Sequence, residues 1–343
     1  MRILSYNCRG LGKKRAVKSL DSLMKRVTPQ LVFLMETKQT KEENESTRRE
    51  LGFEEGDSWS TDHSHGGRAG GISHWWKEGM NVIIMSLSFN HIDARVVEDN
   101  GFVWRFSGVY GWPETQDKYK TWEVIDRLTE QWTGAWLCGG DFNQVLSPTE
   151  KDVGRAVVDH EMNDFQSCLT DAGLQDLGFN GHQFTWENRR VGGRFIEERL
   201  DRFTASDDWR ATFPQARVTH LAKERSDNRP MLCDTKGEED EEPRWGRSFH
   251  FDPFWSRHED CRRTIEEAWG QPNQGDCLTK LLFCRSHLEQ WSRRAFPNFH
   301  KQKARIRRAL EALGRVERTQ IIADQIIQLE QEMDEVESNE ESY

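Results

Sequence analysis

Short apolar runs separated by polar turn residues dominate the first two-thirds of the chain. They comprise Arg2-Ile3-Leu4-Ser5-Tyr6, Leu31-Val32-Phe33-Leu34-Met35, residues 102–109 and residues 135–138. Each is bounded by Gly, Pro, Asp or Asn, which predicts β-strands. Helical periods fall between them. One follows Pro113 and places Trp122, Ile125, Leu128 and Trp132 on one face; another carries Met162, Phe165, Leu169 and Ala172 and stops at Gly173. Strands mixed with helices in this way predict a layered α/β sandwich over residues 1–233 as one domain.

The pattern then changes. Residues 234–247 read as an acidic linker, and residues 248–343 as a helical, arginine-rich tail. In the tail Ile306, Leu310 and Leu313 repeat at four-then-three spacing. After a break near Gly314, the repeat resumes through Ile322, Ile326, Leu329, Met333 and Val336. That spacing predicts a helical hairpin or short coiled coil, although neither stretch reaches three or four heptads. An amphipathic helix that lies on the domain, or serves self-association or a partner helix, is the alternative.

Composition changes the picture in three places. With 35% hydrophobic and 31% charged residues the chain is polar for a globule, which implies a folded part and a solvated part, while 14 tryptophans argue against wholesale disorder. The net charge of −10 is concentrated in residues 238–242 and in the acidic residues from Glu330 to Glu341; setting those twelve charges aside leaves +2. The acidity therefore neither excludes nor predicts a nucleic-acid partner. Seven scattered cysteines without a C-x-x-C spacing disfavour a disulfide framework or zinc site and fit reduced thiols in an intracellular protein. No apolar stretch approaches membrane-spanning length, and no charged leader precedes the first strand, so neither a membrane partner nor a targeting segment is expected.

Candidate chemistry sits where the strands end. Asn7 follows the first run and Glu36 the second; Tyr110 ends the third. Asp141 and Asn143 follow the fourth, Asp201 follows residues 195–200, and Asp227 and Asn228 precede Pro230-Met231-Leu232. Taken singly, Asp or Asn after a strand is ordinarily a turn residue. Acidic groups delivered together to one sheet edge make an oxygen-ligand site for Mg2+, which takes one or two carboxylates plus waters and substrate phosphate.

The order and context of these residues carry a resemblance. The segments are Ser5-Tyr6-Asn7-Cys8-Arg9-Gly10-Leu11, Leu34-Met35-Glu36-Thr37-Lys38, Gly108-Val109-Tyr110-Gly111, Gly139-Gly140-Asp141-Phe142-Asn143, Phe184-Thr185-Trp186, Glu198-Arg199-Leu200-Asp201-Arg202 and Ser226-Asp227-Asn228-Arg229-Pro230. The chain resembles the endonuclease/exonuclease/phosphatase superfamily and, within it, the apurinic-type endonuclease domain of plant non-LTR (LINE-type) retrotransposons. The tail around Leu288-Glu289-Gln290-Trp291 resembles the helical connector before the reverse transcriptase of such elements.

The resemblance implies a four-layered, deoxyribonuclease-like α/β sandwich followed by the helical tail. It implies Mg2+, with Mn2+ as the alternative, held by Glu36 and Asp227 with Asn7 in support. Asp141 and Asn143 would orient the attacking water and the scissile phosphate; Tyr110 and Thr185, with Asn7, would contact phosphate; Asp201 would orient a histidine. The substrate it implies is double-stranded DNA, nicked by phosphodiester hydrolysis, which places the protein in the nucleus if genomic DNA is the target.

One position departs from the pattern. The family's S-D-H has Asn228 in place of histidine, and an amide donates a hydrogen bond but does not carry a proton near neutral pH. His220 reads as a strand residue and His182 as a turn residue. His63, His65 and His74 bracket Gly66-Gly67 and Gly70-Gly71, which reads as a solvated loop rather than a metal site. Trp75, Trp76 and Trp112 could stack on bases, but tryptophans at this density read first as packing residues. Arg189, Arg190, Arg194, Arg199 and Arg202 are expected either to meet phosphate, with Arg199 among the substrate-binding residues, or to decorate a solvated hairpin. Three functions follow: a DNA-nicking endonuclease impaired at Asn228, a catalytically dead DNA- or partner-binding remnant, and a phosphatase on a small phosphorylated molecule.

Overall fold

The computed structural model of the chain describes residues 1–60, 70–152, 158–188, 190, 195–223, 226–237, 258–270, 280–281, 284–285, 287–288, 291, 299–314 and 319–342. His63, His65, Arg189, Arg194 and the acidic run at 238–242 lie outside them. The chain divides into two compact units, Met1–Glu239 and Asp240–Tyr343.

In the first unit, β1 (Arg2–Asn7) and β2 (Leu31–Met35) run parallel at the centre of a seven-stranded sheet and are joined by helix α1 (Lys14–Val27). Beyond β1 lie β16 (Met231–Asp234), β15 (Arg217–His220) and β11 (Asn180–Gly181); beyond β2 lie β4 (Ile72–Trp76) and β3 (Glu55–Trp59). A second sheet of six strands is ordered β10 (Gln175–Asp176), β14 (Asp201–Ala205), β8 (Trp136–Asp141), β7 (Val103–Tyr110), β6 (His91–Val97) and β5 (Asn81–Leu87). A small third sheet joins β12 (Trp186–Glu187), β13 (Glu197–Glu198) and β9 (Lys151–Asp152). Helices α2 (Lys41–Glu50) and α5 (Asp207–Thr212) also belong to this unit.

The two large sheets pack face to face. Ile3, Phe33, Met35, Ile92, Phe106, Leu137, Phe203 and Met231 fill the space between them. On the outer face of the first sheet, Leu4, Tyr6, Val32 and Leu34 meet Leu20 and Leu23 of α1. On the outer face of the second, Val109, Trp136 and Cys138 meet Ile125 and Leu128 of α3 (Tyr119–Glu130) and Phe165 and Leu169 of α4 (Asp159–Asp171). The result is the four-layered α/β sandwich expected from the sequence. Because both faces of the central strands are covered, those strands read as continuous apolar runs rather than as alternation. Gly108 sets how closely the sheets approach: a Cβ there would lie 2.4 Å from the Phe33 ring.

A buried ion pair lies inside the second sheet. Asp93 takes Arg105 Nε at 2.6 Å and Nη2 at 2.8 Å, and Ser107 Oγ donates to it at 2.6 Å. The remaining Arg105 Nη1 donates to the Leu128 carbonyl at the end of α3. Both members of the ion pair are fully buried.

Two readings need correction. His74 belongs to β4, not to a loop, because its period-two position shares a face with Ile72 and points into the core between the sheets. Its ring lies 5.5 Å from that of Trp76 and 5.2 Å from that of Phe106, and neither nitrogen has a hydrogen-bond partner. Burial pushes its pKa down to about 3. The helix after Pro113 starts only at Tyr119, behind a 3-10 turn at Thr115–Asp117, and ends at Glu130, before Trp132. Trp75 and Trp76 are buried packing residues.

In the second unit, α6 spans Glu259–Trp269, and helices Phe299–Leu313 and Gln320–Ser342 pack together. Ile306, Ile326 and Val336, which carry the predicted repeat, are buried there, and Arg305 pairs with Glu332 across the two helices.

His74→Leu is expected to raise stability by about 1–3 kcal/mol at pH 7, since it deletes two unpartnered buried nitrogens. The unfolded histidine protonates below about 6.5 whereas the folded one stays neutral to about 3, so His74 costs stability as pH falls through that window. Urea unfolding at pH 7 and pH 5 should show the gap between variant and parent widening at the lower pH.

Candidate active site

Strand register brings the candidate residues to one edge. Asn7 pairs across from Met35, the residue before Glu36; Tyr110 and Asp201 both flank Asp141 on neighbouring strands. Asn7 Nδ2 then ties the sheets together, donating to Glu36 Oε1 at 3.1 Å and to Asp141 Oδ2 at 3.0 Å. Tyr110 Oη donates to the same Glu36 oxygen at 3.0 Å. Asp141 Oδ1 accepts the backbone N–H of Asn143 at 2.9 Å, and the Asn143 amide donates to the Gly111 carbonyl at 2.8 Å.

Asp227 arrives on the segment before β16, which is fastened on both sides. Ser226 Oγ donates to the Asn7 carbonyl at 2.7 Å, and Glu187 N donates to the Asp227 carbonyl at 3.2 Å. The carboxylate accepts Asn228 Nδ2 at 3.2 Å on Oδ1, and Trp186 Nε1 at 3.1 Å and Arg9 Nη1 on Oδ2; Ser226 Oγ, whose hydrogen goes to Asn7, lies 3.4 Å from Oδ1. Glu36 has its own cation, Lys38 Nζ, at 3.2 Å.

The backbone here is strained. Among the described residues five non-glycines have left-handed φ, and four of them are Arg9 (52°), Glu36 (53°), Lys38 (53°) and Asn143 (52°); the fifth, Thr28, caps α1. Each such residue costs roughly 1–2 kcal/mol, and such conformations gather at functional sites.

The charges are mismatched. Burial, opposed by hydrogen bonds from Asn7 and Asn143, and added to by the charges of Glu36 and Asp227, raises the Asp141 carboxyl to about 6. Burial and the Asp141 charge push Asp201 well above the usual carboxylate range. Burial acts the same way on Glu36, but Asn7, Lys38 and Tyr110 outweigh it and hold Glu36 low. Burial, with Asp141 and Glu36, raises the Tyr110 phenol. Among the described residues no three His, Cys, Asp or Glu side chains form a ready metal cage. Mg2+ asks for less, one or two carboxylates with waters. The oxygen donors and the uncompensated negative charge fit a hard divalent ion.

Two predicted contacts are placed differently. Arg199 is buried, donating from Nη1 to Glu150 at 2.7 Å and from Nη2 to Asp176 at 2.8 Å, and Arg202 shares both acids. The expectation of a phosphate contact at Arg199 is corrected: its guanidinium is spent on a four-charge network. Thr185 is buried too, and its Oγ1 accepts the backbone N–H groups of Leu200 and Asp201, both at 3.0 Å. It fixes the start of β14 rather than presenting its hydroxyl outward.

Asn228 forms a bridge with Trp186, and its Oδ1 is buried without a partner, as is Oδ2 of Asp201. Neither His220 nor His182 takes the missing role. His220 Nδ1 is 2.7 Å from the His182 carbonyl, its ring stacks on Phe179 at 4.4 Å, and burial lowers its pKa to about 4. His182 Nδ1 accepts the Phe184 N–H at 3.2 Å. The sequence reading missed Arg9, Lys38 and Trp186 as carboxylate partners, although all three lie inside the motifs that carry the other site residues.

The sequence profile of the endonuclease/exonuclease/phosphatase family matches residues 4–227. The chain belongs to this family. Its members are hydrolases that act on phosphodiester bonds. No curated protein matches the chain. Similar solved structures include the endonuclease domain of TRAS1, a telomere-specific non-LTR retrotransposon, at 18% identity and TM-score 0.52, covering 69% of this chain and 99% of that one. An AP endonuclease from Leishmania major matches at 15% identity and TM-score 0.54, covering 68% and 86%. The 3′ phosphatase NExo from Neisseria, bound to a product DNA hairpin, matches at 16% and 0.52, covering 68% and 98%. At these identities the likeness is one of fold.

Asp141 sets a pH dependence of folding. Its carboxyl rises from 3.8 to about 6 on folding, so between those values the folded chain keeps a proton that the unfolded chain has lost. Stability contributed there is full below about 4 and is lost as pH rises through about 6. In metal-free urea titrations, Asp141→Asn should flatten this fall. The difference between variant and parent separates Asp141 from the histidines, whose trend is opposite.

Proposed function

We propose that the chain is a divalent-metal-dependent endonuclease of retrotransposon type that nicks double-stranded DNA, with its proton-handling step impaired at Asn228. The observation that carries the reading is the convergence of Asn7, Glu36, Tyr110, Asp141, Asn143, Asp201 and Asp227 at one edge of the sandwich. Glu36 and Asp227, with Asn7, would hold Mg2+ or Mn2+. When bound, such an ion neutralises charge that grows on phosphoryl oxygens and leaving group.

The protein groups divide the remaining work. Asp141, raised to about 6, is matched to take a proton from an attacking water near neutral pH. The Asn143 amide, one hydrogen fixed on Gly111 and the other left over, is positioned as a neutral donor for a phosphate oxygen; the Tyr110 phenol, kept protonated, would turn its hydrogen from Glu36 to phosphate once a metal engages Glu36. Asp201 and residue 228 both adjoin Thr185-Trp186, and the unpartnered Asp201 Oδ2 is what an absent imidazole N–H would leave behind. An amide cannot replace that proton carrier, and losing an acid–base group costs about 10²–10⁴-fold. The same two unpartnered oxygens favour a second reading, a folded DNA-binding remnant without activity. DNA as substrate is supported by the motif strings and by the DNA-processing enzymes among the structural neighbours.

Conversion of supercoiled plasmid to nicked circle tests this. Asn228→His should nick at least about 10²-fold faster than the parent chain in Mg2+, with EDTA or an added Glu36→Ala abolishing the gain. Nicking by the parent at the rate of Asn228→His would sink the assigned role of position 228. No nicking by either, with DNA bound in a salt-dependent manner, would favour the remnant.

A further inference from the structure

Asp227 Oδ2 is fully engaged. It already accepts Trp186 Nε1 and Arg9 Nη1, while Oδ1 accepts Asn228 Nδ2, so a cation that coordinates Oδ2 must displace a donor. Two of these three donors are built into the frame. Trp186 is paired in β12 and bridged to Asn228, and Asn228 is buried in that bridge. Arg9 differs: its side chain is 51% exposed and extends from a left-handed residue beside Gly10, at φ 117°. It can leave without disturbing a strand.

We infer that Arg9 is an exchangeable counter-cation, which neutralises Asp227 in the metal-free chain and turns to a phosphate oxygen of bound DNA when a divalent ion takes its place. The inference rests on the metal and DNA reading above. It accounts for a second cation, beside Lys38, at the rim of the acidic cluster. An arginine fork suits phosphate as well as carboxylate. Lys38 is less free, since its stem lies against Gly10, 3.5 Å from where a Cβ there would sit.

The full chain, Arg9→Gln and Arg9→Gly would be compared for Mn2+ binding by electron paramagnetic resonance of the free ion; glycine accepts the left-handed backbone, which guards against a folding artefact. Both variants should bind Mn2+ about two- to fivefold more tightly, the size expected for removing a partly exposed competing ion pair. DNA binding would then be titrated against salt in EDTA and in Ca2+. In Ca2+ the log–log slope of the full chain should exceed that of Arg9→Gln by about 0.9, one phosphate contact, and in EDTA the slopes should agree. Equal or weaker Mn2+ affinity in both variants, or a slope difference already present in EDTA, overturns the exchange while leaving the nuclease reading intact. Absence of Mn2+ binding in all three chains overturns both.

Discussion

Negative charge crowded into a dry edge is the condition to which the rest of this unit answers. Glu36, Asp141, Asp201 and Asp227 lie close enough that the charge on one raises the pKa of another. Two sheets hold them there, and the sheets cannot relax apart without opening the apolar core between them. Asn7 takes much of the strain by giving one amide hydrogen to each sheet's carboxylate. Arg9 and Lys38 supply positive charge from the rim, and Asp141 and Asp201 absorb what remains by favouring their protonated forms.

Elsewhere the same fold treats buried charge differently. Asp93 and Arg105 close a complete set of hydrogen bonds inside the second sheet. Glu150 and Asp176 bind Arg199 and Arg202 in a matched group of two acids and two bases. Such networks are locked because breaking one leaves an uncompensated ion. Against balance away from the edge, the imbalance at it is what the proposed divalent ion would answer.

Much of this was legible in the sequence because strands end where their polar residues begin. Asn7, Glu36, Tyr110 and Asp141 could be placed from the apolar runs alone; a layered α/β sandwich followed from mixed strand and helix periods, and its four layers from the family resemblance. What was hidden depended on register. His74 looked like part of a glycine-rich loop until pairing with β2 placed it in the core. Arg199 looked like a phosphate contact because its partners, Glu150 and Asp176, are 49 and 23 residues away along the chain. Thr185 stands in a motif, but its hydroxyl faces inward, which no linear spacing reveals. The two-residue strands β9 to β13 are too short to carry a periodic signal.

Position 228 sits in a frame that is otherwise complete. Ser226 is fastened to β1, Trp186 spans to the neighbouring segment, and Asp201 keeps a free oxygen. Asparagine and histidine codons differ at a single base, in the first place of the triplet. A genetic change that small separates this chain from one carrying imidazole at that point. Inheritance can therefore cross between the two states in either direction in a single step.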